Sequence, residues 1–220
     1  MKKLISFLTV ATLFTTSIAH ASSCHSSAGK KDLKKIKGVY QGCAPSIHGN
    51  GYYDYYKVSI TEKGDYTSYL QLHGTSDCSD APINKISYQY QVSKIKKVSK
   101  IHGQTTFDVD LKVKRTDVQM VHPGYYPYLN NITECGFTDW SPTAWKNITA
   151  KTCPFLLAGD AFHDTYRAQG AIQYITIKYT KSGPEKLLDI PVPFRTTGDS
   201  PSQRENVDFL TTSNSSLYLN

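Results

Sequence analysis

The sequence predicts an all-β protein whose antiparallel strands form an up-and-down barrel, with a β-sandwich as the alternative. Apolar and polar residues alternate with a period of two along much of the chain, which is typical of strands with one buried face. Turn sequences separate these segments at fairly regular intervals, as they do in barrels and sandwiches. Segments with a helical period are few and short, so we expect one or two short helices.

The start of the chain has the features of a secretory signal peptide. Lys2 and Lys3 precede an apolar run over residues 4–18, and Ala19 and Ala21 provide the small residues of a cleavage site. The run is short and rich in threonine, whereas a membrane-spanning helix takes about 20 apolar residues. We therefore expect residues 1–21 to be removed during export.

Cleavage would leave residues 22–220 as a single domain, which is long enough to bury a hydrophobic core. The formal net charge would fall from +7 to +5, because the leader contains two lysines and no acidic residue. No later segment is apolar enough for a transmembrane helix, so we expect an exported protein in the periplasm or outside the cell. A lipoprotein with Cys24 as the lipidated residue is the weaker alternative, since Ala21 stands where such signals usually have leucine.

Five cysteines follow the leader, and in an oxidising compartment their default fate is disulfide bonding. An odd number leaves one cysteine over, and the residues alone leave several pairings open. No Cys-x-x-Cys pair is present, so the sequence indicates neither a thioredoxin-like site nor a zinc ribbon. The five are Cys24, Cys43, Cys78, Cys135 and Cys153.

A short helix and a first hairpin are predicted early in the mature chain. Residues 30–37 have helical spacing around two apolar residues. Residues 56–61 alternate between apolar and polar, and residues 66–72 continue the pattern in a second strand. Between them, residues 62–65 have the composition of a hairpin turn.

A second hairpin is predicted in the middle of the chain. Residues 88–92 alternate, but the alternation changes phase near residues 93–95, which indicates a β-bulge. His102-Gly103 predicts the turn. Residues 105–115 then show the clearest alternation in the chain, with four large apolar side chains on one face.

The last third of the sequence predicts fewer elements. Residues 141–148 predict a short helix, because serine and proline make a good N-cap and first helical residue. Residues 175–179 alternate as a strand before a turn at residues 182–184. Residues 195–216 are polar and predict a long loop before a last short strand at residues 217–219.

Sixteen tyrosines are many for a chain of this length, and several cluster in sequence. Tyrosine and tryptophan have an apolar body and a polar tip, so they can line a ligand mouth or stack on sugar rings. Alternatively, strand tyrosines fill half-buried faces of a sheet. For the cluster between Pro123 and Pro127 the two interpretations are more evenly balanced, because loops carry function more often than strands do. The candidate ligand-binding residues are Tyr125, Tyr126, Tyr128, Trp140 and Trp145.

Lysines crowd two segments, residues 30–37 and residues 94–100. A basic surface of this kind can meet anionic lipid, lipopolysaccharide or an acidic glycan. The alternative is a solvated face whose charges protect an edge strand from aggregation. Nucleic acid is not an expected partner, since the chain is exported and contains no nucleic-acid-binding motif. The candidate basic surface consists of Lys94, Lys96, Lys97 and Lys100.

The sequence contains no recognisable catalytic or cofactor motif. Gly-x-Ser-x-Gly, His-Glu-x-x-His and glycine-rich phosphate loops are all missing, and the histidines are not spaced as metal ligands. We therefore expect no cofactor, no metal, no catalytic residue and a non-enzymatic role. An enzyme whose active site is assembled from distant residues is a third hypothesis, because such a site leaves no local pattern.

Three segments carry a family resemblance. In residues 33–43 a short predicted helix leads into Gly-x-Tyr at the start of the first strand. Asp77-Cys78 follows a predicted strand pair. Residues 135–153 begin with the sequence CGFTDW and end in a cysteine. In this order they resemble lipocalin-like, calycin-type small secreted bacterial β-barrel proteins, with Tyr40 where lipocalins favour tryptophan. The resemblance implies an antiparallel barrel, closed or nearly so, with a mouth or cavity.

The same resemblance, together with the spacing, implies that Cys43 pairs with Cys78 and that Cys135 pairs with Cys153, which leaves Cys24 over.

Two functional hypotheses follow. In the first, the chain is an exported, non-enzymatic binding protein that takes an amphipathic or apolar small molecule into a barrel mouth lined by tyrosine and tryptophan. In the alternative, it is a secreted interaction factor of the virulence type that binds a host or envelope glycan or protein through an aromatic and basic surface. A real cavity would favour the first hypothesis, and a filled barrel with exposed aromatics and lysines would favour the second.

Overall fold

The structure is a computed structural model that describes residues 27–46, 51–153, 165–182, 185–191, 199–204 and 215–219. The predicted signal peptide and Cys24 lie outside the described residues, as do the tip of the predicted turn at 182–184 and much of the predicted loop before the last strand. The elements are α1 Ser27–Ile36, β1 Gly38–Pro45, β2 Tyr53–Ile60, β3 Asp65–His73, β4 Asn84–Ile101, β5 Gln104–Met120, α2 Tyr126–Asn131, β6 Lys146–Asn147, β7 Ile172–Ser182, β8 Glu185–Ile190 and β9 Ser215–Leu219, with 3-10 turns at Pro123–Tyr125, Glu134–Gly136 and Pro201–Gln203.

Eight strands pair in an antiparallel ring, in the order β1-β2-β3-β4-β5-β7-β8-β9. The pairing of β4 with β5 continues the ring on one side, and β1 meets β9 on the other through two paired positions. β6 lies outside the ring and pairs with the C-terminal end of β5. The result is a nearly closed barrel, so the predicted all-β antiparallel barrel is confirmed and the chain does not form the alternative sandwich.

Two of the predicted turns are present at the residues that the sequence indicated. His102 and Gly103 have φ values of +46° and +85°, and positive φ at both positions is what a type I′ hairpin turn requires. In the β2–β3 turn Gly64 has φ of +83°, and its N–H donates to the Thr61 carbonyl at 3.0 Å. Such turns favour glycine because other side chains are strained at positive φ.

The barrel interior is built from the alternating residues. Phe107, Val109, Leu111 and Val113 of β5 are at most 2% exposed, as their shared face predicts. Tyrosines fill much of the remaining interior, and their side chains are at most 3% exposed. These interior tyrosines are Tyr40, Tyr56, Tyr66, Tyr88, Tyr90 and Tyr179. For these positions, except Tyr179, which also borders a pocket, burial agrees with the structural interpretation of the strand tyrosines.

Helix α1 confirms the predicted helix near residues 30–37 and covers one end of the barrel. Leu33 and Ile36 from one side of the helix are buried in the core, while Lys34 and Lys35 remain exposed. This is the amphipathic pattern of a surface helix. Neither of the two described α-helices has the length and apolarity needed to span a membrane.

The predicted helix at residues 141–148 is wrong. A turn follows Ser141, and Lys146 and Asn147 form β6 by pairing with Val118 and Asp117 of β5. Ile148 is fully buried next to this strand pair. Strand pairing and burial outweigh the local start signal of serine and proline, because propensity is weak beside tertiary packing. A different short segment, α2, forms the second helix.

Two disulfides join the cysteines that the resemblance implies. Cys43 of β1 is bonded to Cys78 in the loop after β3, and Cys135 is bonded to Cys153. The second bond is buried, with its cysteines 6% and 0% exposed. Such links stabilise a fold by restricting the unfolded chain.

The two ends of the barrel carry different groups. Helix α1 and the β2–β3, β4–β5 and β7–β8 connections share one end, because consecutive antiparallel strands turn alternately at opposite ends. We call it the helix end. The β1–β2 and β3–β4 connections and the segment after β5, which contains α2, share the opposite end, and we call it the disulfide end.

Candidate functional site

The predicted aromatic site lies at the disulfide end, and its members differ in accessibility. Trp140 is only 3% exposed, so it belongs to the core and does not offer a ring face at the surface. Its ring N–H donates to the Glu134 carbonyl at 3.3 Å, and its backbone N–H donates to Asn130 Oδ1 at 2.6 Å. The ring of Phe137 meets its ring edge-on at 5.7 Å. These contacts give Trp140 a structural position.

The other four aromatic candidates lie nearer the surface. Tyr125 and Tyr126 are half-buried and pack against the core, and the Tyr126 hydroxyl donates to the Val121 carbonyl. Tyr128 is 48% exposed and Trp145 is 41% exposed. The structure thus brings the three tyrosines together in one turn and helix, but it leaves only Tyr128 and Trp145 with large accessible faces.

The four lysines of the predicted basic surface divide between two faces of β4. Lys94 lies opposite Asp110, and Lys96 lies opposite Asp108, on the outer face of the barrel. There the two carboxylates also pair with Arg204. Opposite charges on neighbouring strands attract one another, so the outer pair of lysines has acidic cross-strand neighbours.

The other two lysines belong to the inner face. Lys97 lies opposite Phe107, and Lys100 lies opposite Thr105. Phe107 is fully buried and Thr105 is 1% exposed, so both partners point into the barrel. Because paired residues of antiparallel strands share a face, Lys97 and Lys100 lie on the inner side at the open rim of the helix end.

Two bulges in β4 cause this division. A register shift between Val92 and Lys94 moves Lys94 to the outer face, which confirms the predicted irregularity. A second shift between Lys97 and Ser99 reverses the alternation again, so Lys100 shares a face with Lys97. In a regular strand Lys100 would lie with Lys94, because side chains alternate with a period of two.

A pocket of about 480 Å³ opens at the helix end, between α1 and the tips of two hairpins. Its volume falls within the range of small-molecule sites, about 300–1,000 Å³. Four of its seven lining residues are lysines, contributed by α1, β4, β7 and β8. The lining consists of Lys35, Lys100, Gly103, Thr105, Tyr179, Lys181 and Lys186.

Lys35 occupies the middle of this arrangement. Its Nζ donates to Thr105 Oγ1 at 3.0 Å. The same ammonium group lies 5.5 Å from the ring centroid of Phe107 and 5.7 Å from that of Tyr179. Ring faces attract cations at such distances. Together the hydroxyl and the two rings hold the Lys35 ammonium group at the lining of the pocket, and the residue stays accessible to solvent.

The surroundings disfavour the charged form of Lys35. Partial burial lowers its pKa from the ordinary value, and the nearby ammonium groups of Lys100 and Lys97 lower the pKa further. The carboxylate of Asp32, one helical turn away, acts in the opposite direction and has a smaller effect. An anion that enters the pocket would stabilise the charged form of Lys35, since it would offset the repulsion from Lys100 and Lys97.

A second like-charge contact lies across the pocket. Lys181 of β7 and Lys186 of β8 face each other directly in the strand register, an arrangement that destabilises a sheet. None of Lys100, Lys181 and Lys186 forms an ion pair with any residue that the structure describes. By contrast, Lys37 at the edge of the same barrel end is paired with Glu62. The pocket therefore gathers cations without matching carboxylates among the described residues.

Most of these pocket residues do not stand out in the sequence. Lys100 is a sequence-based candidate, and Lys35 belongs to one of the two lysine-rich segments, but Thr105, Tyr179, Lys181 and Lys186 are not among the candidates. One signal is present in the sequence, since lysines flank the tips of two hairpins. Only the pairing of β5 with β7 brings those tips together.

Among the described residues, one cluster brings potential ligand atoms close enough for a metal ion, with all three atoms within 4.8 Å of one another. It consists of Glu134, Cys135 and Cys153. Both cysteines are joined in a disulfide, and the thiolate is the form that binds metal. The cluster therefore lacks two of its three ligands while the disulfide is intact. The structure does not make it a metal site in the oxidised protein.

No protein-family model matches the chain, and comparison with curated proteins found no match. The function is therefore inferred from the geometry of the helix end and from the exposed side chains.

Proposed function

We propose that the protein is an exported, non-enzymatic binding protein with a lipocalin-like barrel, and that it takes a small anionic molecule into the pocket at the helix end. The observation that carries this proposal is the set of lysines around Tyr179, gathered from four elements without carboxylate partners in the described residues. Unpaired like charges oppose folding, so their concentration in a pocket favours a role in binding.

The lining of the pocket also indicates the shape of its ligand. Ammonium groups bind phosphate, sulfate or carboxylate as strongly hydrated point charges. Tyr179 adds an aromatic ring beside them, so an amphipathic molecule with an anionic group and a flat apolar part fits best. The proposed ligand keeps the amphipathic character expected from the sequence, and the proposal places its binding site at the lysine-lined end. The aromatic loop remains a candidate for the second function described below.

Three observations support export and the lipocalin-like family. The two disulfides favour an oxidising compartment, in agreement with the signal peptide expected at the start of the sequence. The eight-strand ring has the architecture of up-and-down barrels. α1 leads directly into Gly38-Val39-Tyr40 of β1, as the resemblance implies. We assign periplasm or cell exterior without choosing between them.

The lining supports binding over catalysis. Lysines, a glycine, a threonine and a tyrosine line the described pocket. Acid–base catalysis usually employs groups that titrate near the operating pH, histidine and carboxylates above all. A lining of this kind is better suited to holding an anion than to moving protons.

Phenyl phosphate is the probe that tests the proposal, with phenol as the neutral control, in calorimetric titrations of the mature protein. Lys35→Gln and Lys186→Gln are each expected to weaken phenyl phosphate binding about fivefold, the effect of losing roughly 1 kcal/mol of ion pairing. Lys57→Gln removes an exposed lysine from the outer face of β2 and is the matched control. Equal affinity of all three variants and the unmodified protein would contradict binding in the pocket.

A second candidate function is the docking of a glycan or protein at the disulfide end. Tyr128 and Ile132 lie one turn apart on or beside α2 and are 48% and 39% exposed, and Trp145 is 41% exposed. Exposed aromatic residues are enriched in binding surfaces. Tyr128→Ser and Trp145→Ser should abolish retention on a glycan array under this hypothesis and leave phenyl phosphate binding unchanged.

A further inference from the structure

The tip of the β4–β5 hairpin carries the two most exposed large apolar side chains among those the structure describes. Ile101 is 62% exposed and Val98 is 55% exposed. Val98 lies at the bulge between Lys97 and Ser99, and Ile101 directly precedes the turn. Exposed β-branched side chains at a hairpin tip do not contribute to the core, so their exposure indicates a surface that contacts a partner.

This tip reaches beyond the neighbouring strand. β3 pairs with β4 only as far as Gln91, and the described remainder of β4 continues to Ile101 with β5 as its strand partner. β5 in turn pairs with β7 up to Gln104 opposite Thr180. From Ser93 to Ile101, β4 is therefore hydrogen-bonded to β5 along one edge, and no described strand pairs with its other edge. Unpaired backbone groups are tolerated where water is present but not in a hydrocarbon core, so the tip is suited only to shallow entry into an apolar layer.

Cations surround the two apolar side chains. Lys96 and Lys97 precede Val98, and Lys100 precedes Ile101. The pocket opens directly behind the turn, because Lys100 and Gly103 are part of its lining. α1 adds further lysines on the same barrel end. An apolar tip among lysines matches the surface of a bilayer that contains anionic lipid, whose charge attracts lysines and whose interior accepts apolar side chains.

A second copy of this chain fits the same tip less well. Two such tips would bring their lysines together, and like charges across an interface oppose association. A bilayer with anionic headgroups supplies both the negative charge and the apolar interior that the tip lacks. Charge complementarity thus selects the lipid surface.

We propose that the helix end docks on a bilayer containing anionic phospholipid, with Val98 and Ile101 entering the headgroup region and the lysine pocket holding a headgroup phosphate. The assignment of the headgroup to the pocket rests on the proposed function, because it uses the same lysines. Each lysine near the surface contributes about a fivefold gain in membrane affinity. The two apolar side chains together contribute roughly tenfold, since they enter the headgroup layer only in part.

The test is co-sedimentation of the mature protein with two kinds of vesicle, phosphatidylcholine alone and phosphatidylcholine with about 30% phosphatidylglycerol, close to the anionic fraction that gives a negative surface potential. Glycerol 3-phosphate is titrated separately as the soluble form of the headgroup. The double variant Val98→Ser, Ile101→Ser tests the tip. Tyr52→Ser, which removes a side chain that is 37% exposed in the β1–β2 connection at the opposite end, is the matched control.

The expected result is sedimentation with the phosphatidylglycerol vesicles alone. The tip variant should bind these vesicles about tenfold more weakly, as partial insertion of two apolar side chains implies, and should keep its affinity for glycerol 3-phosphate. Tyr52→Ser should match the unmodified protein in both assays.

The other outcomes separate the two proposals. Binding of glycerol 3-phosphate without vesicle binding, or vesicle binding that the tip variant retains in full, would overturn the docking proposal and leave the anion pocket standing. Tip-dependent vesicle binding without glycerol 3-phosphate binding would overturn the headgroup assignment, while the phenyl phosphate titration decides the proposed function separately. Binding to neither probe would overturn the docking proposal and the headgroup assignment together.

Discussion

The Tyr40 hydroxyl donates a hydrogen bond to the backbone carbonyl of Ile36 at 2.9 Å, and this bond ties the last turn of α1 to the first strand. Both residues are at most 1% exposed. Burial raises the pKa of Tyr40, so the hydroxyl remains a neutral donor across the physiological range. Because α1 contributes Lys35 to the pocket, this buried bond connects the core of the barrel to the candidate site.

Tyr40→Phe should therefore reduce the free energy of unfolding by about 1–2 kcal/mol, the effect of leaving a buried carbonyl without its donor. Urea denaturation measures the change. Tyr69→Phe, at a residue that is 37% exposed on β3, should have little effect and serves as the control. Equal stability of the two variants would show that the Ile36 carbonyl finds another donor.

Arg204 joins the segment around Pro201–Gln203 to the outer face of β5 and β7 through hydrogen bonds and an ion pair. Its Nη1 donates to the carbonyls of Val109 and Ile175 at 3.1 and 3.3 Å, and its Nη2 donates to Asp110. The Arg204 side chain is 14% exposed, so the pair with Asp110 is only weakly screened by solvent. A double-mutant cycle with Arg204→Gln and Asp110→Asn should yield a coupling energy of about 1–3 kcal/mol. Strictly additive effects would contradict the pair.

The two disulfides should contribute unequally to stability. They close loops whose ends are 35 and 18 residues apart in sequence. The chain-entropy relation assigns about 4 kcal/mol to the first and about 3 kcal/mol to the second. Two double variants test this, one with Cys43→Ser and Cys78→Ser and the other with Cys135→Ser and Cys153→Ser. Their free energies of unfolding are measured by urea denaturation under oxidising conditions, and the unmodified protein in reductant is the reference. Variants as stable as the oxidised protein would contradict the assignment.

Lys35 should titrate at lower pH than an ordinary lysine. Partial desolvation lowers its pKa first, followed by Lys100 and Lys97, while Asp32 raises it by less. Since the folded-state pKa lies below the unfolded value, the protonated form opposes folding. This penalty is fully present below the folded-state pKa and disappears as pH rises to the unfolded value of 10.5.

Side-chain NMR titration of the lysines is the direct measurement. Phenyl phosphate should raise the Lys35 pKa, because a bound anion favours the ammonium form, and the affinity for phenyl phosphate should fall as pH rises through that pKa. The Lys35 pKa shift makes the free energy of unfolding rise as pH increases towards 10.5. At low ionic strength, Lys35→Gln should remove this contribution. A Lys35 signal that titrates like an exposed lysine, with and without phenyl phosphate, would contradict both expectations.

Much of the fold could be predicted from local pattern alone. The inward face of β5 from Phe107 to Val113 follows from period-two alternation, and the turn at His102-Gly103 follows from the backbone freedom of glycine. The phase change near residue 93 predicts the bulge that shifts the register between Val92 and Lys94. These features depend on a few neighbouring residues, whose conformational preferences are encoded in the chain itself.

The candidate site depended on contacts that no local pattern contains. Trp140 is a candidate binding residue by sequence, but tertiary packing buries it and satisfies its ring N–H. The serine and proline of residues 141–142 favour a helix, but pairing of β6 with β5 overrides them. In each case long-range packing contributes more free energy than the local preference it replaces.

By itself, then, the sequence determined the strand-rich fold, its turns and one bulge, and it marked the lysine-rich segments. Only the tertiary structure decided which lysines lie together. The first bulge in β4 placed Lys97 on the inner face, the second placed Lys100 there, and the β5–β7 pairing brought Lys181 to the same barrel end. The physical reason is twofold. Each inserted residue reverses the direction of the side chains that follow it in a strand, and the order of the strands in the sheet determines which hairpins lie side by side. Neither property follows from composition or from the spacing of residues along the chain.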